Sequence, residues 1–432
     1  MSAEPTPHAE SDSAVPTNPT EAPKHPKAFN LEWSISLFGT AVGAGILVLP
    51  ISAGAGGVWP LLIVTLLVGP LSYLAHRALS RFVLSSDVPD SDITMVATQN
   101  YGRAAGFAIT IIYFLAILPF VLVYGVLITS TVDSLIVYQL GGPEISRWIL
   151  AFVLIGAMML VMFFGLNLML KVTSLIVWPL ILALGFFTLY LIPHWDLTMF
   201  NDVPSAGSIA MSVWLSIPVL VFAFSHTPAI SQFSLSMRRA YGDDADRQAG
   251  KSLRLAGVLL VVFTMAFVWS AVLALGPDGL AEARDQNITV LSYLANVTGQ
   301  PVIAAVGPLI AVAAITSSFF GHYLGVAEGV VGMIRESAPR FTERIGKKGV
   351  QYLVAGIIFA LVYFTAVFNP SVLSLIESLS GPILACILFV LPIVGIYTIP
   401  ALARFRSQWL RNGFVLVFGL LAISGIFFTL LT

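Results

Sequence analysis

The fold class this sequence predicts is an all-α polytopic membrane protein of about 11 transmembrane helices, built as a five-plus-five inverted repeat with broken first and sixth helices. Three observations predict it. The 432 residues are 57% hydrophobic and 10% charged, with mean hydropathy +0.92. A soluble globular chain carries about a quarter charged residues, so lipid must be the solvent for most of this one. Eleven windows are each apolar over the length that crosses a bilayer, about 20 residues. Two of those windows, five apart, carry their own interruptions.

The windows run roughly 33–57, 60–84, 107–139, 148–166, 169–192, 208–236, 252–276, 301–333, 350–368, 371–399 and 413–431, and no stretch between them can hold a soluble domain. Residues 1–28 contain six prolines among Ser, Thr, Glu and Ala and no apolar core, which predicts a disordered cytoplasmic tail rather than a signal peptide. The transporter-like domain is then 29–432, with a first repeat at about 33–192, a second at about 208–399 and an extra helix at about 413–431. With the N-terminus in the cytoplasm, all 21 Lys and Arg except Arg147 and Arg284 fall in cytoplasmic segments. An odd number of spans then places the C-terminus outside. The net charge of −1 carries no basic stripe for nucleic acid, and Cys386, the one cysteine, excludes a disulfide frame or thiolate metal site.

The first window contains FGTAVGAGILVLP, Phe38 to Pro50. Gly39 and Gly43 form a GxxxG, the small-residue pattern by which membrane helices approach closely. The sixth window reads WLSIPVLVFAFSHTPAISQFSL, with Ser225-His226-Thr227-Pro228 at mid-depth. Proline removes a backbone donor, and the polar run can satisfy the carbonyls that a break frees. Two breaks five helices apart are the pattern of inverted repeats whose substrate site lies where the broken helices meet. A half-helix beginning near Gly45 presents unpaired N–H groups and about half a positive charge, suited to a carboxylate. Exposed carbonyls and hydroxyls at the other break suit an ammonium. Together they fit a small zwitterion, an amino acid.

The residues also carry a family resemblance. LFGTAVGAGILVLPISAGAGG (37–57), AHRALSRFVLSS (75–86), LVYGVLITSTVDS (122–134), FAFSHTPAIS (222–231), QNITVLSYLAN (286–296), AITSSFFGHYLGVAEG (314–329) and NPSVLSLIESLSGPILA (369–385) resemble the hydroxy and aromatic amino acid permeases, most closely their bacterial serine and threonine transporter branch, from about residue 32 to the end. The resemblance implies cation-driven uptake of L-serine or L-threonine across the cell inner membrane. It also implies substrate contacts at Thr40, Gly43, Ala44 and Gly45 and at Phe224, Ser225, His226 and Thr227. The third, eighth and tenth helices would line the path.

One departure bears on the coupling ion. Serine transporters of this branch often read ITKSF in the eighth helix, where this chain has Ile315-Thr316-Ser317-Ser318-Phe319. Ser317 cannot titrate as a lysine would. The hydroxyls of Thr316, Ser317 and Ser318 are hard ligands suited to Na+, or simply back-bond to the preceding turn. Protons are the first expectation and sodium the second; no other cofactor is implied.

Ionisable groups at membrane depth are functional candidates. Asp133 lies in the outer part of the third span, with a wet surface position as the alternative. Glu377, early in the tenth, is a candidate outer gate or proton carrier. Glu328 fits an inner salt-bridge network. His226 can couple protonation to the break or merely satisfy the freed backbone. His322 is expected to pack between helices. Tyr124 is a candidate cap on the substrate, or a core tyrosine. Small residues at both breaks favour serine or threonine over an aromatic amino acid, which stays the alternative substrate. A channel lacks charged rings or a repeated filter motif, and a membrane-embedded enzyme lacks a HExxH pair or a nucleophile–base pair. Asn287-Ile-Thr and Asn296-Val-Thr are glycosylation sequons on the outer side.

Overall fold

The computed structural model describes residues 26–88, 91–163, 166–297 and 301–431, and among them every regular element is helical. The expected tail lies, apart from residues 26–28, outside the described residues. The first helix, α1 (Pro26–Ala41), opens on a proline, whose missing N–H has no intrahelical partner at that position anyway. It is bent by 58° from α2 (Ala44–Gly54), so the first span is broken as the glycines predicted. Next come α3 (Val58–Val83) and α4 (Ile93–Ser134). Asp92 caps α4 by accepting from the Met95 N–H at 2.8 Å. Gly102, at φ 81°, then separates a short opening segment from the long span, a left-handed conformation that a side chain would oppose.

After α5 (Arg147–Phe163) and α6 (Leu166–Leu191), the sixth span is divided into α7 (Ala206–Ala223) and α8 (Thr227–Tyr241). The chain turns at Gly242, φ 53°, into α9 (Ala245–Leu260), which runs through a π-turn at Val261–Met265 into α10 (Ala266–Asp285). Then follow α11 (Val290–Val297), α12 (Pro301–Ser337), α13 (Pro339–Phe368), α14 (Val372–Thr398) and α15 (Trp409–Leu431). Two π-turns interrupt α14, and Glu377 lies in the first, Ile376–Ser380.

Eight helical segments among the described residues are long and apolar enough to cross a membrane, nine when α1 and α2 count as one bent span. That reckoning runs α8 to α10 together as one segment, and the shorter α5 and α15 stand where the windows at 148–166 and 413–431 were expected. Each of the eleven windows thus holds helix among its described residues, although eight or nine segments are long and apolar enough to span. Large apolar side chains such as Leu66, Leu175, Leu182 and Phe368 stay 70–76% exposed on the outer faces, the belt that lipid covers.

A continuous apolar core runs through the bundle. Within it α2 packs on α7 and α10, α1 on α9, and α12 on α4, which sets both breaks near the centre. At the arginine-rich end, Asp246 of α9 pairs with Arg77 at 3.2 Å and Arg81 at 3.1 Å, both from α3. There α1 is pinned by Ser34 Oγ donating to Ser252 O (3.1 Å) and Asn30 Nδ2 to Gln248 Oε1 (3.1 Å). Trp33 meets Phe233 edge-on at 5.6 Å. The opposite end is joined by Ser52, Arg284 and Glu377.

Candidate functional site

The first break is a two-residue gap. Gly43 caps α2 without any side-chain hydrogen bond, at φ −149° and ψ −145°. The carbonyls freed on the α1 side are taken by α12: Ser318 Oγ donates to Val42 O at 3.1 Å and lies 3.4 Å from Thr40 O. A Cβ on Gly43 would fall on that hydroxyl. Thr40 turns its own Oγ1 back to Ser36 O at 2.9 Å. Ala44 begins α2; its side chain lies outside the described residues. At Gly45 a Cβ would stand 2.6 Å from Ala223 Cα and 2.9 Å from Phe222 Cδ1, so the glycine is what lets the two broken spans touch.

A row of rings encloses the start of α2. Phe222 stacks on Phe120 of α4 at 4.1 Å, and Phe120 stacks on His322 of α12 at 4.4 Å. His322 is one turn beyond Ser318, whose carbonyl accepts from His322 Nδ1 at 2.9 Å. The contacts therefore close a loop from Gly43 through Ser318, His322, Phe120 and Phe222 back to Gly45. Because Nδ1 donates, Nε2 of His322 is a lone-pair acceptor; it is buried and has no hydrogen-bond partner. Tyr124, 2% exposed, approaches the same ring with Oη 3.4 Å from Nδ1. It thus borders the ring row, where a cap on the substrate would stand, and also bonds a neighbouring helix, as the core reading does.

The second break spans Phe224 to His226, with all of Phe224, Ser225, His226 and Thr227 buried. Ser225 Oγ accepts from Thr227 N–H at 3.2 Å and donates to Thr227 Oγ1 at 2.9 Å, a local cap that starts α8. Its outer partners come from α3. Ser72 Oγ donates to Phe224 O at 3.3 Å, and the His226 N–H donates to His76 Nε2 at 3.1 Å. The His76 and His226 rings stack at 3.6 Å, 14° from parallel, and both ring nitrogens of His226 are buried without a partner.

Of the other residues singled out from sequence, Ser317 back-bonds to Ala314 O at 3.0 Å, and Thr316 is half-buried beside it. Glu377 is brought to Arg284 at 3.7 Å and accepts from Ser52 Oγ at 3.4 Å, away from the enclosed space. Asp133, half-buried, acts electrostatically on Arg147 and likewise stands apart from the breaks. Glu328 acts electrostatically on Tyr113. Sequence reasoning missed Ser72 and His76, although the stretch AHRALS was in view; a histidine at membrane depth was the signal. It also missed the Phe120–Phe222 stack, which has no sequence signature apart from core packing. Among the described residues no three His, Cys, Asp or Glu are grouped as metal ligands.

The sequence pattern that defines the tryptophan/tyrosine permease family matches residues 31–428. The serine transporter SdaC of Escherichia coli (strain K12) is 44% identical over 404 residues, 92% of this chain and 94% of that one. The threonine/serine transporter TdcC of Escherichia fergusonii is 38% identical over 416 residues, 91% and 94% of the two chains. Among solved structures, MhsT in complex with L-phenylalanine shares the fold with TM-score 0.58 at 17% identity, covering 93% of this chain and 98% of that one. Mhp1, a nucleobase-cation-symport-1 family transporter in a closed conformation, gives 0.57 at 13%, covering 97% and 95%.

Proposed function

This chain belongs to the tryptophan/tyrosine permease family, and from that premise we propose that it imports L-serine or L-threonine together with a cation, by alternating access. It is a multi-pass membrane transporter and not an enzyme. The observation that carries the substrate reading is the enclosure of the α2 start: Gly45 against Ala223, Gly43 against Ser318, and the ring row between them. The uncapped α2 N-terminus offers its N–H groups to a carboxylate. The carbonyls of the second break receive the ammonium.

The unpartnered His322 Nε2 supports a hydroxyl-bearing side chain, since a buried acceptor without a donor costs about 1–3 kcal/mol. A serine or threonine hydroxyl relieves that cost, and an alanine cannot. The cation is taken to be a proton, with Na+ at Thr316, Ser317 and Ser318 as the other reading; placement in the inner membrane with a cytoplasmic N-terminus completes it.

Counterflow of labelled serine into proteoliposomes, with pH and sodium gradients imposed separately, tests this. We expect saturable serine exchange, competed by threonine and weakly by alanine or tryptophan. Exchange of tryptophan but not serine would reverse the substrate reading.

A further inference from the structure

We infer that His76 is the binding site for the coupling proton, and that protonating it releases the sixth-helix break. This rests on the transporter reading above.

A broken helix leaves one set of carbonyls and one set of N–H groups unpaired. At the second break α3 takes one of each, Phe224 O through the Ser72 hydroxyl and His226 N–H through His76 Nε2. The second bond identifies the tautomer. Nε2 accepts, so the ring proton sits on Nδ1, which donates to Ser72 O at 2.8 Å. His76 is therefore a neutral acceptor in this conformation.

Adding a proton to Nε2 turns the acceptor into a donor. Two N–H groups would then face each other across a 3.1 Å contact, and the His226 backbone must leave. Residues 225–227 move with it, because Thr227 N–H and Oγ1 are both tied to Ser225. Protonation is thereby converted into movement of the break that borders the substrate enclosure.

The stack decides where the proton goes and how many enter. With the rings 3.6 Å apart, two imidazolium charges repel strongly, so the pair holds one proton. A charged His226 would have two N–H groups and only the Phe224 carbonyl near them, which already accepts from Ser72. A charged His76 keeps its Nδ1–H bond to Ser72 O. Nothing else competes for the charge. Among the described residues, the charges on the elements packed around α3 begin on α9, with Asp246, which holds Arg77 and Arg81, Arg247 paired with Asp244, Lys251, and Arg254 above Tyr73. On α8 they are Arg238, which donates to Leu84 O, and Arg239; on α15, Arg411 beside Arg77 and Arg81; and on α4, Arg103, which donates to Glu336 O, and Asp133. None of them acts on His76, and the one titratable group acting on His226 is His76. The facing polar groups are hydroxyls: Ser80 and Ser234 bonded together at 2.8 Å, and Ser231, which accepts from Ile93 N–H at 3.3 Å.

The test uses the full-length protein in proteoliposomes, with labelled serine and a pH gradient, interior alkaline. Wild type should accumulate serine about tenfold per pH unit at one proton per substrate. His76→Gln offers a permanent amide acceptor to the His226 N–H and cannot take a charge. It should exchange serine at a reduced rate while its accumulation ratio falls to about 1, whereas His226→Gln keeps a response to the gradient. Wild-type exchange that ignores the pH gradient overturns the inference and leaves the transporter reading standing; wild type with no exchange overturns both. Undiminished accumulation by His76→Gln also overturns it. Should His76→Gln be inactive, 15N-histidine spectra of the wild type decide: His76 Nε2 must gain a proton as pH falls in the presence of serine, and an Nε2 that never does overturns the assignment.

Discussion

Asn287 and Asn369 are the two non-glycine residues among those described with left-handed backbones, φ 53° and 50°, and they hydrogen-bond to each other, Nδ2 of Asn287 to Oδ1 of Asn369 at 3.2 Å. The same Nδ2 donates to Pro370 O at 3.0 Å, and Asn287 Oδ1 accepts from the Val372 N–H at 2.9 Å, the start of α14. Arg147 Nη2 closes the cluster on Asn369 Oδ1 at 2.9 Å. Asparagine tolerates this conformation where most residues do not. Asn287→Ala should therefore lower stability by about 1–3 kcal/mol, losing the bonds and straining the backbone. A melting curve in detergent checks it; an unchanged midpoint would contradict the clasp. Both sequon amides are engaged in the fold, since Asn296 Nδ2 donates to Ser134 Oγ at 3.1 Å.

Gly43 and Gly45 should each reject an added methyl, against different neighbours. At Gly45 the obstacle is the Ala223 backbone at 2.6 Å, which cannot yield, so Gly45→Ala should cost about 1–3 kcal/mol and stop transport. At Gly43 it is Ser318, whose Oγ and backbone-fixed Cβ both lie where the new methyl would stand. Gly43→Ala should insert yet transport poorly; adding Ser318→Ala keeps the blocking Cβ and should not restore transport, whereas adding Ser318→Gly should recover part of the loss. Gly43→Leu should abolish transport while the protein remains folded in the membrane. Serine binding retained by that variant would count against the first break as the carboxylate site.

Hydroxyls on α12 separate by what they hold. Ser318 braces the α1 carbonyls, and Ser317 bonds its own helix. Ser318→Ala should reduce serine uptake under any gradient and cost about 1–3 kcal/mol for the freed carbonyl. Ser317→Ala and Thr316→Ala should stay near wild type if protons drive uptake. Selective loss of sodium stimulation in either would place a cation there.

The Arg284–Glu377 pair, 3.7 Å apart and partly exposed, should contribute little to stability, about 0–1 kcal/mol. Its expected role is to hold α10 against α14. Arg284→Ala should leave the melting point nearly unchanged but speed thiol labelling of Ser225→Cys in a Cys386→Ser background. Labelling at the wild-type rate would rule out a gate.

Tyr293, on α11 outside the spans, has its phenol pushed up to about 12, first by burial and then by the 2.6 Å bond to Glu282. The unfolded phenol ionises near pH 10. Its contribution is complete below that pH and is lost as pH rises toward 12. The wild-type melting point should fall more between pH 10 and 12 than that of Tyr293→Phe; equal slopes would refute it.

Hydropathy by itself determined that the chain lives in lipid and where its apolar helices run, because an apolar run of that length has no other stable surrounding. Among the described residues, eight or nine of those segments are long enough to span. Proline, glycine and a Ser-His-Thr run likewise marked both breaks within a residue or two, since backbone geometry at those positions is a local property. Partners across the bundle were another matter. That Ser318 would reach Val42 O, that Phe120 would lie between Phe222 and His322, and that His76 would accept from His226 depends on residues as much as 276 positions apart. Periodicity tells which face of a helix is apolar, not which neighbour it meets or at what height. Only packing sets that, and with it the tautomer of a buried imidazole.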